Sequence, residues 1–144
     1  MPDSTREKAL NALLALLETI DGVRAERNEP ETETIPSGGL VSLRDGDPGE
    51  PEMLLSPLTY EWQHVAEIMV QKQHVDARTR DRDMDVILQA IDIAIDADCT
   101  LGGAVDLARL GAPEIITEAV EGAATIKAIR LPVLLEYTTT TPLG

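Results

Sequence analysis

Hydrophobic and polar residues recur along the chain with two different spacings. The longer spacing, three to four residues, predicts two helices. Apolar residues recur every three to four positions from Thr5 to Thr19 and again from Arg80 to Ala97, which places them on one face of a helix. Ser4, with Glu7 three residues later, is typical of a helix start, and Gly22 is typical of a helix end. The sequence therefore predicts two amphipathic helices.

A two-residue period predicts the strands. From Leu58 to Gln73 the even positions are mostly apolar and the odd positions mostly polar. A strand of this length would extend roughly 50 Å, whereas a domain of this chain length has an expected diameter of about 35 to 40 Å. Part of the strand must therefore bend, bulge or project beyond the rest of the domain. Four shorter strands are predicted at Val23 to Arg27, Leu40 to Arg44, Ile115 to Val120 and Thr125 to Tyr137.

The connections between these elements carry further expectations. A hairpin-like return is expected after the first strand, and the last two strands are expected to pair around Gly122. Pro132 has no N–H group, so it belongs at a sheet edge or a bulge unless its missing donor faces away from the neighbouring strand. Residues 28–39 and 45–57 are rich in proline, glycine and acidic residues, and we expect them to be mobile loops.

The order helix, strands, helix, strands predicts a single α+β domain over residues 1–144. We expect one mixed, mostly antiparallel sheet with two helices packed on one face and a long central strand or hairpin. The aromatic residues are only Tyr60, Trp62 and Tyr137, so aliphatic side chains must form the core. So few aromatic residues also argue against a surface that stacks on nucleic-acid bases.

Charge and cysteine content narrow the class of protein. The chain has 26 acidic and 12 basic residues and a formal net charge of −14. Its single cysteine, Cys99, excludes an internal disulfide and a multi-cysteine metal site. The sequence shows no signal-peptide pattern and no apolar run of the roughly 18 residues that a membrane span requires. We therefore expect a soluble protein made in the cytosol, with no membrane partner.

The chain shows no residue pattern typical of catalysis, of a cofactor or of a metal. His64 and His74 would lie roughly 33 Å apart on one extended strand, and neither belongs to a recognisable nucleophile motif. We expect His64 to be a partly buried structural residue. Asp45, Asp47 and Glu50 lack the ligand spacing of a calcium loop, and the glycine pairs lack the lysine of a phosphate loop. We therefore expect a protein that is not an enzyme and binds no cofactor.

Five segments follow one another in an order that resembles a known family. They are a leucine-rich first helix (Ala9 to Ile20), a proline and glycine entry to a strand with an acidic turn (Ile35 to Asp47), the long strand, a helix ending in Asp98 to Gly103, and a last strand closing in Tyr137 to Thr139. This arrangement resembles the tail terminator proteins of long-tailed bacteriophages and phage-like gene transfer agents. The resemblance spans most of the chain and depends on element order and short glycine-containing segments.

The resemblance implies a structural virion protein of the tail neck, assembled in the host cytoplasm. Such a protein forms a homo-hexameric ring on the finished tail tube, ends polymerisation of the tail tube protein and docks the head–tail connector or stopper protein. Genomic DNA would pass through the ring without specific binding, because an acidic lumen repels its phosphates. The resemblance implies no catalysis.

Candidate interface residues come from the long strand, the loops and the start of the second helix. Tyr60 and Trp62 are candidate anchors because aromatic groups are favoured at contact centres; packing in the monomer core is the alternative. The two loops are expected to become ordered against the tube or the connector, and the mixed charges near Arg80 are expected at a salt-bridged helix start or a subunit rim. The other candidates are Glu31, Glu33, Arg44, Asp45, Asp47 and Arg82.

Two alternative functions stay open. Another neck component, such as a head–tail connector or tail completion protein, would share the small size and the ring habit. A small cytosolic enzyme or ligand-binding domain is the more distant alternative, and it would need a deep pocket with convergent polar residues.

Overall fold

Two helices pack against one face of a seven-stranded mixed sheet, which confirms the predicted fold class. The computed structural model describes residues 2–29, 35–118 and 125–144. The elements have the following bounds: α1 Thr5–Glu18, β1 Arg24–Arg27, β2 Leu40–Asp47, β3 Glu52–Leu55, β4 Leu58–His74, α2 Ala77–Ala97, β5 Leu107–Leu110, β6 Glu114–Glu118 and β7 Thr125–Thr139. A short 3-10 turn at Leu101–Gly103 lies between α2 and β5.

Side-chain caps determine where both helices begin. The Ser4 hydroxyl accepts the Glu7 N–H at 3.1 Å, so α1 begins as predicted. The Asp76 carboxylate accepts the Thr79 N–H at 3.1 Å, and α2 therefore starts before the predicted Arg80. The periodic apolar face of α2 begins only after this first turn, which explains why periodicity placed its start too late.

The sheet has the strand order β1-β2-β4-β7-β5, with β3 paired to β4 and β6 paired to β7. Every pair is antiparallel except β1 with β2, where Arg24 lies opposite Leu40 in a parallel register. The hairpin-like return expected after β1 is therefore wrong. The connection, residues 28–39, has the dozen or so residues that a parallel crossover requires. It ends at Gly39, whose carbonyl accepts the Arg24 N–H at 3.1 Å.

The predicted long strand is β4, and it forms the centre of the sheet. β7 pairs with it over fifteen consecutive positions, from Tyr60 to His74. Beyond this ribbon, Leu58 and Thr59 pair with β3, so the excess length projects as a hairpin, one of the three predicted outcomes. The even positions of β4 face the helices, and those at the centre are fully buried: Ala66, Ile68 and Val70.

The segment 45–57, predicted to be a loop, is partly strand. Residues 45–47 complete β2 and residues 52–55 form β3. All four residues of β3 are exposed, so the strand leaves no pattern of buried positions in the sequence. It is held by backbone pairing with β4 instead, from Glu52 opposite Glu61 to Leu55 opposite Leu58.

Pro132 lies inside β7, opposite Glu67 of β4. Its carbonyl accepts the Gly111 N–H at 2.8 Å on the other side of the strand, so its nitrogen also faces that side. There β5 ends and β6 begins, which means that no ladder hydrogen bond is lost. This is the exception foreseen for a proline whose missing donor faces away from its partner strand. The predicted pairing of β6 with β7 is confirmed, although Gly122 lies outside the described residues.

Candidate functional site

The β3–β4 hairpin, residues 52–61, exposes large apolar side chains to solvent. Among the described residues with exposed large hydrophobic side chains, four lie on this hairpin: Met53 (59% exposed), Leu54 (41%), Leu55 (77%) and Leu58 (48%). Met53, Leu55 and Leu58 lie on one face of the hairpin and Leu54 on the other. Exposed apolar clusters of this kind mark interaction sites. The hairpin is therefore the candidate contact element of the molecule.

Strand register shows why this patch exists. Met53 lies opposite Tyr60 and Leu55 lies opposite Leu58, so these four side chains share one face of the hairpin. It is the same face that the helices cover further along β4. On the hairpin this face is exposed to solvent. The apolar face of the sheet thus continues beyond the core of the chain.

Carboxylates surround a concavity of about 360 Å³ at the base of the hairpin. The acidic residues that line it are Glu50, Glu52, Glu61, Asp106 and Glu136. Among the residues that the structure describes, one cation forms a salt bridge with them, the Arg109 guanidinium at 3.9 Å from Glu136. Within residues 2–29, 35–118 and 125–144, no three His, Cys, Asp or Glu side chains are grouped so that they could hold a metal ion. The concavity is therefore a negatively charged surface that favours cationic partners and repels phosphates.

A bulge in β2, between Arg44 and Asp47, positions Asp45 for a charged network. Arg27 donates from Nε to Asp45 Oδ1 at 2.9 Å and from Nη2 to Oδ2 at 3.1 Å, while its Nη1 lies 2.6 Å from Glu7 Oε1. The hydrogen bonds to Asp45 and Glu7 raise the pKa of Arg27, and those from Arg27 lower the pKa of Asp45. One guanidinium therefore connects α1, β1 and β2.

The buried imidazole of His64 connects this bulge to β7. Its Nε2 contacts the backbone carbonyl of Asp45, which can only accept, so Nε2 carries the proton. Nδ1 then accepts from the Tyr137 hydroxyl at 2.8 Å. Tyr137 in turn stacks on Trp62 with ring centroids 6.4 Å apart, and Trp62 Nε1 donates to Thr139 Oγ1 at 3.0 Å. These contacts give His64 the structural role expected of it.

Tyr137→Phe is expected to destabilise the protein by about 1 to 3 kcal/mol, because His64 Nδ1 would stay buried without a donor. Burial raises the pKa of Tyr137 to about 12, so the hydroxyl remains protonated and donates at neutral pH. Urea denaturation measures the loss. Tyr60→Phe is the matched control, since the Tyr60 hydroxyl makes no hydrogen bond among the described residues. Equal losses in both variants would show that the contact with His64 contributes nothing.

The stabilisation from Asp45 should be lost in acid. Its folded pKa is below the ordinary value of 3.8, so its contribution is complete above pH 3.8 and falls as the pH drops through the folded value. Asp45→Asn should therefore be less stable than the wild type at pH 7, and the difference should shrink on acidification. Asp47→Asn, which keeps an amide oxygen for the Gly49 N–H, is the control. A difference for Asp45→Asn that is constant with pH would contradict the pairing with Arg27.

The predicted interface residues on the long strand and β2 lie near the hairpin. Tyr60 is on the hairpin itself and is half-buried, whereas Trp62 packs against the edge of the core. The Asp45 carboxylate forms a salt bridge with Arg27 and is not available to a partner chain. Asp47 is exposed and accepts the Gly49 N–H at 2.9 Å, and Arg44 has no ion pair within the described part of the chain.

The predicted residues of the second helix lie at the opposite end of β4. Arg80 is buried and its Nη2 lies 3.5 Å from Asp81, while Arg82 is exposed. The two ends of β4 are separated by roughly 50 Å, so these arginines and the hairpin do not form one surface. Glu31 and Glu33 lie outside the described residues.

The apolar residues of the hairpin were not among the predicted interface positions. The sequence carries a signal for them, because Met53, Leu54 and Leu55 form an apolar run between two prolines in an otherwise polar segment. The prolines Pro51 and Pro57 favoured the interpretation as a loop. Only the pairing with β4 shows that this run is a strand.

Comparison with known proteins found no family model that matches the chain and no matching curated protein. Neither helix, within the part of the chain that the structure describes, combines the length and apolarity needed to cross a membrane.

Proposed function

We propose that this chain is a structural virion protein of the tail terminator kind. Copies of it form a ring on the finished tail tube, end polymerisation of the tail tube protein and provide a docking face for the head–tail connector or stopper protein. It acts by contact, without making or breaking bonds. The observation that carries the proposal is the β3–β4 hairpin with its four exposed large apolar side chains.

The hairpin has the properties of a subunit contact. Its second strand is the start of β4, which β7 holds over fifteen positions, so the hairpin is ordered before it meets a partner. Binding then costs little additional ordering entropy. The outer edge of β3 also presents backbone groups that no described strand pairs with, and such an edge favours the addition of another chain.

The negative net charge of the chain is consistent with a ring through which DNA passes. A ring of subunits that each carry a net charge of −14 is strongly acidic. Because DNA phosphates are repelled by carboxylates, the genome would pass through such a ring without being retained. Genomic DNA is thus a transient passenger in this proposal and not a specific ligand.

Sedimentation velocity and negative-stain imaging of the purified chain test the proposal. We expect a closed ring with a central hole wide enough for a DNA duplex, and we expect the ring to stop the growth of tubes when it is added to polymerising tail tube protein. A monomer at every concentration would contradict the proposal. Rings that bind the connector but leave tube growth unchanged would indicate a different neck component.

A further inference from the structure

Strand β3 forms an open edge of the sheet. Among the described strands it pairs only with β4, from Glu52 opposite Glu61 to Leu55 opposite Leu58. Alternate residues of an antiparallel strand direct their backbone N–H and C=O groups to opposite edges, so part of the backbone of β3 faces away from β4. All four side chains of β3 are exposed as well. An exposed apolar edge of this kind is a template for pairing with another strand.

The two faces of β3 set requirements for such a strand. Met53 and Leu55 lie on the face that the helices cover further along the sheet, and Glu52 and Leu54 lie on the opposite face. Cross-strand neighbours stabilise a sheet when apolar residues lie opposite apolar ones and like charges are kept apart. The partner strand must therefore present apolar residues on both faces and no acidic residue opposite Glu52.

The other described edge strands of this chain fit these requirements poorly. In β5 the N–H of Ala108 donates to the Cys99 carbonyl at 2.6 Å, so this part of its outer edge is already covered. In β6 Glu114 lies on the face where β3 has Glu52, so pairing would bring acidic residues to the same side. β1 consists of three charged residues and one alanine, with no large apolar side chain. The edge that fits β3 best is β3 itself.

We infer that the outer edge of β3 pairs antiparallel with the same edge of a second copy, about a two-fold axis at Leu54. Leu54 then lies opposite Leu54 of the second copy, and Met53 lies opposite Leu55 of that copy. Apolar residues thus meet on both faces of the joined sheet. Glu52 lies opposite Ser56, whose hydroxyl can donate to the carboxylate. The two Glu52 residues are roughly 13 Å apart along the strands, so salt screens their repulsion.

The pairing would also extend the apolar face of the hairpin. Within one chain Leu55 lies opposite Leu58, and Met53 lies opposite Tyr60. Placing Leu55 opposite Met53 of the second copy joins these side chains into rows that cross four strands. In the single chain Leu55 is 77% exposed, so contact within a row removes apolar surface from water. Side-chain burial thus adds to the backbone hydrogen bonds of the joined edges.

A two-fold pair of this kind is closed, because each chain uses its single β3 edge to form it. It requires neither a tail tube nor a ring, so the inference goes beyond the proposed function and concerns the free chain. A ring that uses the hairpin as its subunit contact would have to open the pair. Until then, the pair would keep the apolar face of the hairpin from other partners.

Charged residues at position 54 test the two-fold register, because this position lies opposite itself. Leu54→Lys and Leu54→Glu should each weaken self-association at least about tenfold, since like charges would meet across the pair. An equimolar mixture of the two variants should restore association, because opposite charges would then meet. Sedimentation equilibrium measures each sample, and circular dichroism shows whether each variant is folded. Val75→Lys, at the far end of β4, is the control and should leave association unchanged.

Disulfide trapping gives a second readout of the register. Directly opposite residues of an antiparallel pair lie close enough for a disulfide after a small adjustment. In a Cys99→Ser background, Leu54→Cys should therefore form a disulfide between two copies. Met53→Cys should form one mainly when it is mixed with Leu55→Cys. Val75→Cys, whose position is 86% exposed, shows how much disulfide forms by random collision.

The outcomes separate this inference from the proposed function. Wild-type association that neither charged Leu54 variant weakens would overturn the inference, and so would a mixture of the two that stays dissociated. Rings that form while Leu54→Cys gives no more disulfide than Val75→Cys, or links to the tail tube protein instead, would overturn the inference alone. Pairs that never convert to rings in the presence of tail tube protein would overturn the proposed function alone. A chain that stays monomeric would overturn both.

Discussion

Gly46→Ala is expected to destabilise the fold by about 2 to 5 kcal/mol. Gly46 has a φ of +70°, and a Cβ there would lie 2.0 Å from the carbonyl oxygen of Val65 and 2.9 Å from the Cα of Ala66. The left-handed conformation costs a residue with a side chain about 1 to 2 kcal/mol. Displacing the backbone of β4 adds about 1 to 3 kcal/mol, the usual cost of forcing extra volume into a packed region.

Gly49→Ala is the matched control for this prediction. Gly49 has a φ of +71°, but the nearest atom to an added Cβ is the carbonyl oxygen of Gln63 at 3.7 Å. Only the conformational cost of about 1 to 2 kcal/mol is expected there. Urea denaturation followed by the fluorescence of Trp62, the single tryptophan, measures both variants. If both variants lost the same free energy of unfolding, the close approach of β2 to β4 at Gly46 would not contribute to stability.

This close approach is what brings the buried network together. With no side chain at Gly46, the bulge of β2 lies directly against β4. The carbonyl of Asp45 then lies beside His64, and its carboxylate lies beside Arg27. A larger residue at Gly46 would therefore disturb contacts on α1, β1 and β7 as well as the bulge itself.

The helices and the long strands could be predicted from the sequence, because their buried residues recur at the regular spacing of a helix or a strand. The start of α1 was correct because Ser4 is followed directly by the apolar face of the helix. Strand β3 could not be predicted, since all its side chains are exposed and only backbone pairing holds it. The parallel pairing of β1 with β2 was also missed, because nothing in a short strand specifies the direction of its partner.

The candidate site was predictable in part. Tyr60 and Trp62, two of the predicted interface residues, lie on the hairpin and at its base, and their role in an interface stays a prediction. The pairing of Arg27 with Asp45 depends on the bulge and on a parallel crossover, so it has no signature in the sequence. The groove of about 480 Å³ on the sheet face opposite the helices is lined by residues of five strands, β1, β2, β4, β6 and β7, so it could be recognised only in the folded chain.

Leu55→Ser combined with Leu58→Ser is expected to weaken self-association at least about twentyfold. Burying a leucine at an interface contributes about 1.5 to 3 kcal/mol, and each 1.4 kcal/mol changes an equilibrium constant about tenfold. The side chains of Leu55 and Leu58 are 77% and 48% exposed in the single chain, so about three quarters of the burial of Leu55 and half of that of Leu58 are still available to a partner. Sedimentation equilibrium over a range of concentrations measures the association constant.

The stability of the monomer distinguishes a contact surface from an extension of the core. Because the two leucines are exposed before association, replacing them should change the free energy of unfolding of the monomer by no more than about 0.5 kcal/mol. Val75→Ser, whose side chain is 86% exposed at the far end of β4, should leave both association and stability unchanged. A double variant that loses stability while it keeps its association would assign the hairpin to the monomer core, since its apolar face would then be buried by its own chain.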